Sequence, residues 1–379
     1  MRIASVRAVP ISFRVPEGKN VTLGIGRAVK RDAVLVRVET DEGLVGWGEA
    51  HHGRCPGAVA KLIDTTLSEL VLGMDALDVV GVWQKVYRMQ LASHGMGAAA
   101  ALALSGLDIA LWDIRGKAMN APIHRLLGGA PRKIKAYAGG ISLGWQDPAA
   151  LAEEAQSYVA QGYRALKLRV GDTPGRDIAR VEAVRAAVGE DIDILVDGNT
   201  GCSLDDVRRV MPAYQAAKVG WFEEPFPPHD YRSYLDATKL GTVPLAAGEN
   251  HYTRFEFTRL IADGAVSFVQ PDLSKAGGIT ECHRIAVLAS AWKMSLNPHT
   301  SATGINMVAT LHLMCAVDNP GYFEGDVAHH NPFRDEVCGL PYQLSPDGTV
   351  TCREGPGLGI EVDEAFLAAH PLIEGPCYV

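Results

Sequence analysis

ALKLRV (165–170), DILVDGN (193–199), GWFEEP (220–225), PLAAGEN (244–250), SFVQPDL (267–273), MSLNPHT (294–300) and GYFEGD (321–326) are seven short apolar runs, each carrying ionisable residues at or near its end. Asp197, Glu223, Glu249, Asp272, His299 and Glu324 follow one another at about 25 residues, and Lys167 and Arg169 stand one longer stride upstream. A stride of that size holds one strand, one helix and two short loops. Repeated seven or eight times, it is the period of a closed βα barrel. Residues at the C-terminal ends of barrel strands converge on one mouth. The runs therefore predict a single site rich in carboxylates and bases, the footprint of metal-assisted acid–base chemistry.

Working outward, the barrel takes about 250 residues, and the chain has 379. Residues 1–125 read as a small α+β domain. MRIASVRAVPISF, DAVLVRVET and GLVGWGEA are strand-like, and the last two are joined by a turn at Asp41-Glu42-Gly43. The stretch 14–32 is polar and Gly-rich, a candidate mobile loop. The Ala/Leu-rich run from Gly97 to Lys117 has the composition of a buried helix. Residues 126–328 are the barrel. Residues 329–379 are irregular, with an expected hairpin, and are expected to return to the N-terminal domain. The fold class is α/β, a modified (β/α)8-type TIM barrel under an N-terminal α+β capping domain.

Composition narrows the function. A hydrophobic share of 47% suits a large core, and a net charge of −8 without a basic run argues against nucleic acid. The seven cysteines are scattered without a CxxC pair and read as reduced thiols, which places the chain in the cytoplasm. The N-terminus alternates like a strand rather than a signal peptide, and no run approaches a membrane span. P-loop, GxSxG and HExxH motifs are absent.

Asp197, Glu223 and Glu249 lie on three consecutive strand ends. Singly, each is as well explained as a helix cap or a surface ion pair. Together, aimed into one mouth, they would repel unless a cation lay between them, and an all-oxygen set suits Mg²⁺. His299 stands one βα unit after Asp272, and a carboxylate beside an imidazole makes a general base. Lys167 and Arg169 alternate on one strand and share a face. They could bind a substrate carboxylate, partner the acidic cluster, or do both. Glu324 could donate a hydrogen bond to a developing oxyanion if its neighbours keep it protonated. His51, His52 and Arg54 follow the third strand of the small domain. They are either solvated or, if that domain caps the mouth, substrate contacts.

VGWGE (45–49), ALSGLDIALWDIRGK (103–117) and LLGG (126–129), with KLR, VDGN, FEEP, GE, QPDLSKAGG, PHTSATG and FEGD in the barrel, resemble the enolase superfamily and its mandelate racemase subgroup along nearly the whole chain. The resemblance implies one Mg²⁺ per chain on Asp197, Glu223 and Glu249. It implies His299 with Asp272 as the base, Glu324 as the electrophilic group and Asn199 as a substrate contact. It further implies a small carboxylate substrate and an even-numbered homo-oligomer. Relatives that epimerise dipeptides carry a Lys where Asp272 stands, which disfavours that activity. The family's second-strand motif is Lys-x-Lys, whereas here the second position is Arg169, a poor base. Two-base racemisation thus loses one base, and dehydration of a sugar acid or related hydroxy acid by His299 becomes the expected reaction. HNPFR and GPGLGIE are similar to sugar-acid lactone cycloisomerases, the second expectation. A racemase or epimerase is third, and a non-catalytic acid-binding barrel is the alternative of another class.

Overall fold

The computed structural model describes residues 1–300 and 302–379. Three antiparallel strands open the chain: β1 (Ile3–Arg14), β2 (Lys30–Thr40) and β3 (Val45–Ala50), in the order β1-β2-β3. One face of this sheet packs on the 21-residue helix α1 (Ala98–Ala118). VGWGE and ALSGLD have their glycines for that contact. A Cβ on Gly48 would stand 2.0 Å from the Gly106 carbonyl oxygen, so strand and helix touch backbone to backbone.

The barrel follows as β4 (Ile134–Gly139), α2 (Pro148–Ala160), β5 (Ala165–Arg169), α3 (Pro174–Val188), β6 (Asp193–Asp197), α4 (Leu204–Ala216), β7 (Val219–Glu223), α5 (Tyr231–Ala237), β8 (Leu245–Ala247), α6 (Thr253–Ala262), β9 (Phe268–Val269), α7 (Gly278–Ala291), α8 (Gly304–Met314) and β10 (Phe323–Asp326). The parallel order is β9-β8-β7-β6-β5-β4-β10. Between β9 and β10 the ring closes through Leu296, which bridges Val269 on one side and Pro320 on the other. Eight strand positions and seven intervening helices result. The eighth strand leads into the C-terminal segment instead of a full barrel helix. Alternation along β5, β6 and β7 sends Lys167, Leu195 and Trp221 inward with Arg169, Asp197 and Glu223 two residues on. Tyr137, Leu195, Trp221 and Ala246 fill the barrel floor beneath the site.

The cap is fastened to the sixth βα unit. The Trp83 and Trp112 indoles donate to Gly277 O and Thr280 Oγ1, both at 2.9 Å, and Thr280 N donates to Asp108 Oδ2 at 2.9 Å. The chain's last residues run along β1 and the segment before β2: Ser12 N donates to His370 O (3.2 Å) and Val29 N to Cys377 O (2.9 Å).

Two sequence expectations change. The loop at 14–32 is shorter, because β1 runs to Arg14 and β2 begins at Lys30. Its middle is a small hairpin, Thr22–Leu23 against Gly26–Arg27. The C-terminal hairpin is replaced by a turn at 345–348 whose return leg, Thr349–Val350, pairs with Lys135 and Ile134 of β4. The barrel's first strand offers a longer partner than the leg before the turn. All seven cysteines are free thiols, and no helix among the described residues is long and apolar enough to cross a membrane.

Candidate active site

Arg169, Asp197 and Glu223 are register partners across β5, β6 and β7, so their side chains leave the sheet at one level. Glu249 follows β8, Asp272 follows β9, His299 follows the Leu296 bridge and Glu324 lies in β10. All the barrel residues singled out in the sequence stand on this one mouth.

Buried charges must be paired or they unfold the site, and here the cations thread between the carboxylates. Lys167 Nζ, fully enclosed, lies 2.7 Å from Glu223 Oε1, 2.9 Å from Glu324 Oε1 and 3.5 Å from Asp197 Oδ2. Arg169 pairs with Asp197 and donates to Gly140 O. Lys275 Nζ and His299 Nε2 both reach Glu249 Oε2, at 3.0 and 2.9 Å. On its other nitrogen, His299 Nδ1 meets Asp272 Oδ2 at 2.7 Å. Asp272 is itself aimed by Ser274 N and Oγ (2.7 and 2.6 Å) and by Asn306 Nδ2 (3.0 Å).

Proton affinities follow from these contacts. Burial pushes Glu223 up to about 7, with Asp197 and Glu324 adding to it against Lys167. Burial would also raise Glu249, but His299 and Lys275 outweigh it and hold the carboxyl well below its usual range. Burial alone would lower His299. Glu249 and Glu324 reverse that and carry it to about 10. In this arrangement the imidazole is charged, and it accepts a proton at neutral pH only when Glu249 has another partner. Glu324 has cationic neighbours. Burial favours its protonated form, but Lys167, His299 and Arg169 hold it down to about 2, so in this arrangement the carboxylate form is favoured. Of the roles open to Lys167 and Arg169, both partner the acidic cluster, but Lys167 is enclosed and does not line the cavity, whereas Arg169 does.

The cavity above the ring measures about 360 Å³. Arg169, Asn199, Glu249, Lys275 and His299 form its barrel side, and Leu23, Ile25, His51, His52 and Arg54 its cap side. Gly24 lets the hairpin reach the mouth: a Cβ there would stand 2.8 Å from Gly198 O. His51 and His52 stack at 4.1 Å, and burial lowers both below the usual histidine range.

Residues that the sequence reading left unassigned complete the ring. Gln270 Nε2 and Trp221 Nε1 donate to Glu223 Oε2 (2.7 and 3.1 Å). Glu224, the second acid of FEEP, accepts from Asn250 Nδ2 (2.5 Å), and burial pushes it up to about 8. Glu49, the last residue of VGWGE, crosses from the cap to accept from Thr303 Oγ1 (2.5 Å) and Asn306 N (3.1 Å). Lys275 and Gln270 both sit inside QPDLSKAGG, so their signal was in the quoted motif. Glu49 likewise sits inside the quoted VGWGE, but nothing in the sequence pointed to its partners, which lie about 250 residues away.

Asp197, Glu223 and Glu249 share the mouth but not ligating spacing. Among the described residues, three-donor groups with all ligand atoms within 4.8 Å occur only at His124, His312 and Cys352 and at Asp32, His52 and Cys377. Each of the three barrel carboxylates is instead drawn to its own cation. The donor set nonetheless fits a divalent ion. Five buried acids (Asp197, Glu223, Glu224, Asp272 and Glu324) and the half-buried Glu249 face Lys167, Arg169, Lys275 and His299, an anionic surplus. Among the described residues, Asn199 Oδ1 and Gln270 Oε1 are also buried acceptors without a donor.

A capped (β/α) barrel with this mouth matches known proteins over nearly its whole length. Residues 8–128 match the mandelate racemase / muconate lactonizing enzyme N-terminal domain, and residues 150–366 match the enolase C-terminal domain-like family. The chain belongs to the mandelate racemase / muconate lactonizing enzyme family of the enolase superfamily. D-galactarolactone cycloisomerase of Agrobacterium fabrum is 34% identical over 350 residues, 89% of this chain and 91% of the relative. Arabinonate dehydratase of Saccharolobus solfataricus is 34% identical over 345 residues, 89% and 90% of the two. A crystal structure of an enolase superfamily member from Polaromonas sp. JS666 superposes with a TM-score of 0.98 at 53% identity, covering 100% of both chains. A racemase from Streptomyces coelicolor with bound magnesium superposes at 0.88 and 29% identity, covering 98% and 100%.

Proposed function

We propose that the protein is a carbon–oxygen lyase that dehydrates a sugar acid or related hydroxy acid through an enolate. The observation that carries this reading is the one-sided base. The Asp272–His299 pair stands on the sixth and seventh strands. The opposite side offers Arg169, a guanidinium held by Asp197 and unable to accept a proton.

His299 Nε2 takes the α-proton, and the C–H electron pair moves toward the substrate carboxylate as an enolate. The pair then returns to form the α,β double bond as the β C–O bond breaks. The same proton, now on the imidazolium, leaves with the β-hydroxyl as water. The enol that remains tautomerises to a 2-oxo-3-deoxy acid. Asp272 holds Nδ1, keeps Nε2 aimed at the substrate and stabilises the imidazolium. Glu249 is the competing partner: while its Oε2 holds Nε2 the base is occupied, and when Glu249 is engaged elsewhere Nε2 is available. Arg169 lies at the cavity and balances negative charge there. Lys167, below, steadies Glu223 and Glu324.

Asp197, Glu223 and Glu249 would hold a single divalent ion, Mg²⁺ by their oxygen-only chemistry, which supplies charge stabilisation for the enolate dianion. The same reading includes a small carboxylate as partner, cytoplasmic action and an even-numbered homo-oligomer. A second reading, lactone cycloisomerisation, is favoured by the A. fabrum relative and uses the same base to expel a ring oxygen instead of hydroxide.

The test is α-proton exchange in deuterated water over a panel of hydroxy acids with Mg²⁺. Exchange followed by release of a 2-oxo acid is expected. If both α-epimers exchange at comparable rates, the one-base reading fails and a racemase replaces it. Binding without exchange for every acid favours a non-catalytic barrel.

A further inference from the structure

Five Lys and Arg side chains line the cavity, and four of them are already paired. Lys30 Nζ stands 3.2 Å from Asp32 Oδ1, Arg31 stands 3.6 Å from Asp326 Oδ2, Arg169 pairs with Asp197, and Lys275 stands 3.0 Å from Glu249. Arg54 is the exception. Among the described residues its guanidinium makes neither an ion pair nor a hydrogen bond. Its Cζ lies over the Tyr378 ring, 5.6 Å from the centroid.

The backbone around Arg54 is built rather than slack. Arg54 adopts φ +60°, a left-handed conformation that costs a residue with a Cβ, and Gly53 before it stands at +55°. Two side-chain acceptors hold the turn: Gly53 N donates to His51 Nδ1 (3.1 Å) and Arg54 N to His52 Nδ1 (3.0 Å). The tyrosine beneath is fixed as well. Tyr378 bridges Ala28, and the Arg27 and Val379 backbones exchange two hydrogen bonds at 2.8 and 3.0 Å. Strain kept at a cavity wall, a flat support and an unspent planar cation together describe a receptor for an anion. A guanidinium fork matches a carboxylate through two parallel bonds.

Resting on the enolising reading above, we propose that Arg54 binds a second carboxylate at the far end of the substrate. The substrate is then a dicarboxylic sugar acid or its lactone rather than a monocarboxylic one. The reacting end lies at His299 on the barrel side, and the far end meets the cap. The single β-barrel ring thus serves the chemistry common to all such acids, and one cap residue sets the class.

The experiment uses the Mg²⁺-loaded full chain and its Arg54→Gln and Arg54→Lys variants. Each receives an aldarate, the aldonate of matching configuration and the corresponding ω-phosphoaldonate. Binding is read by calorimetry and α-proton exchange by NMR. The aldarate should bind the unmodified protein most tightly. Arg54→Gln should lower its kcat/KM by about tenfold to a hundredfold more than that of the aldonate, mainly through KM, with Arg54→Lys between. Preference for the aldonate or the phosphoaldonate, or an equal effect of Arg54→Gln on all three acids, overturns the assignment. If no acid exchanges but the aldarate still binds the unmodified protein more tightly than Arg54→Gln, the enolising reading has failed and the Arg54 assignment stands.

Discussion

The two walls of the cavity are built on opposite principles. On the barrel side every charged group has a partner, many have two, and all stand on short, buried parallel strands or just beyond their C-terminal ends. On the cap side Lys30, Arg31 and Asp32 come from the start of β2, while His51, His52 and Arg54 come from the turn after β3, where Gly53 and Arg54 are left-handed and, among the described residues, the Arg54 cation has no counter-ion. Strands hold a side chain to within the tolerance that proton transfer needs. Turns can be rebuilt without disturbing the core beneath them. The contrast teaches that the half-reaction belongs to the barrel and substrate choice to the cap.

The largest expected effect breaks the barrel wall. His299→Asn keeps a donor to Asp272 but removes the proton acceptor, so exchange should fall by at least about a hundredfold. A residual rate close to that of the unmodified protein would move the base elsewhere. Removal of divalent ions by a chelator comes next. Activity should disappear and return on adding Mg²⁺. The chelated protein should bind one equivalent of Mn²⁺ by electron paramagnetic resonance, and Glu223→Gln should abolish that binding. Retained activity after full chelation would remove the ion from the reading.

Glu49 joins the two walls, and its effect is on stability with pH. Burial raises its carboxyl to about 8 in the folded protein, above the usual carboxylate value. A raised acid favours the protonated folded state. Its contribution is therefore complete below about pH 4.5 and is lost as pH rises through about 8. Thermal melts of the unmodified protein should lose stability between pH 5 and 8 relative to Glu49→Gln, by up to a few kcal/mol. Parallel pH curves for the two proteins would show that Glu49 does not titrate in that window. The smallest expected effect sharpens the cap side. Gly24→Ala pushes the hairpin off Gly198 O and should raise KM by roughly fivefold with little change in kcat. An unaltered KM would mean that the hairpin's seat is irrelevant to binding.

How much of this was legible in the sequence depends on distance along the chain. The stride of about 25 residues places Asp197, Glu223, Glu249, Asp272, His299 and Glu324 on one mouth, because a repeating βα unit leaves each strand end at the same level. Period-two alternation puts Lys167 and Arg169 on one face. Neither rule says which carboxylate each cation takes. The pairing of Lys167 with Glu223 and Glu324 favours the anionic form of Glu324, and no spacing could have shown that pairing. Glu224 was hidden by the same alternation: as the neighbour of an inward residue it reads as outward, yet it is buried and bonded to Asn250.

The sequence by itself determined the barrel, its order of strands, the acidic mouth and the single-base asymmetry that follows from arginine at 169. These are set by local period and by the chemistry of individual side chains. Only the tertiary structure decided which cation each carboxylate takes, that Glu49 spans cap and barrel, and that, among the described residues, Arg54 is the cavity cation without an ion pair. Those are properties of contacts between residues tens to hundreds of positions apart, where burial and the nearest opposite charge set proton affinity and partner. Neither is a function of sequence separation.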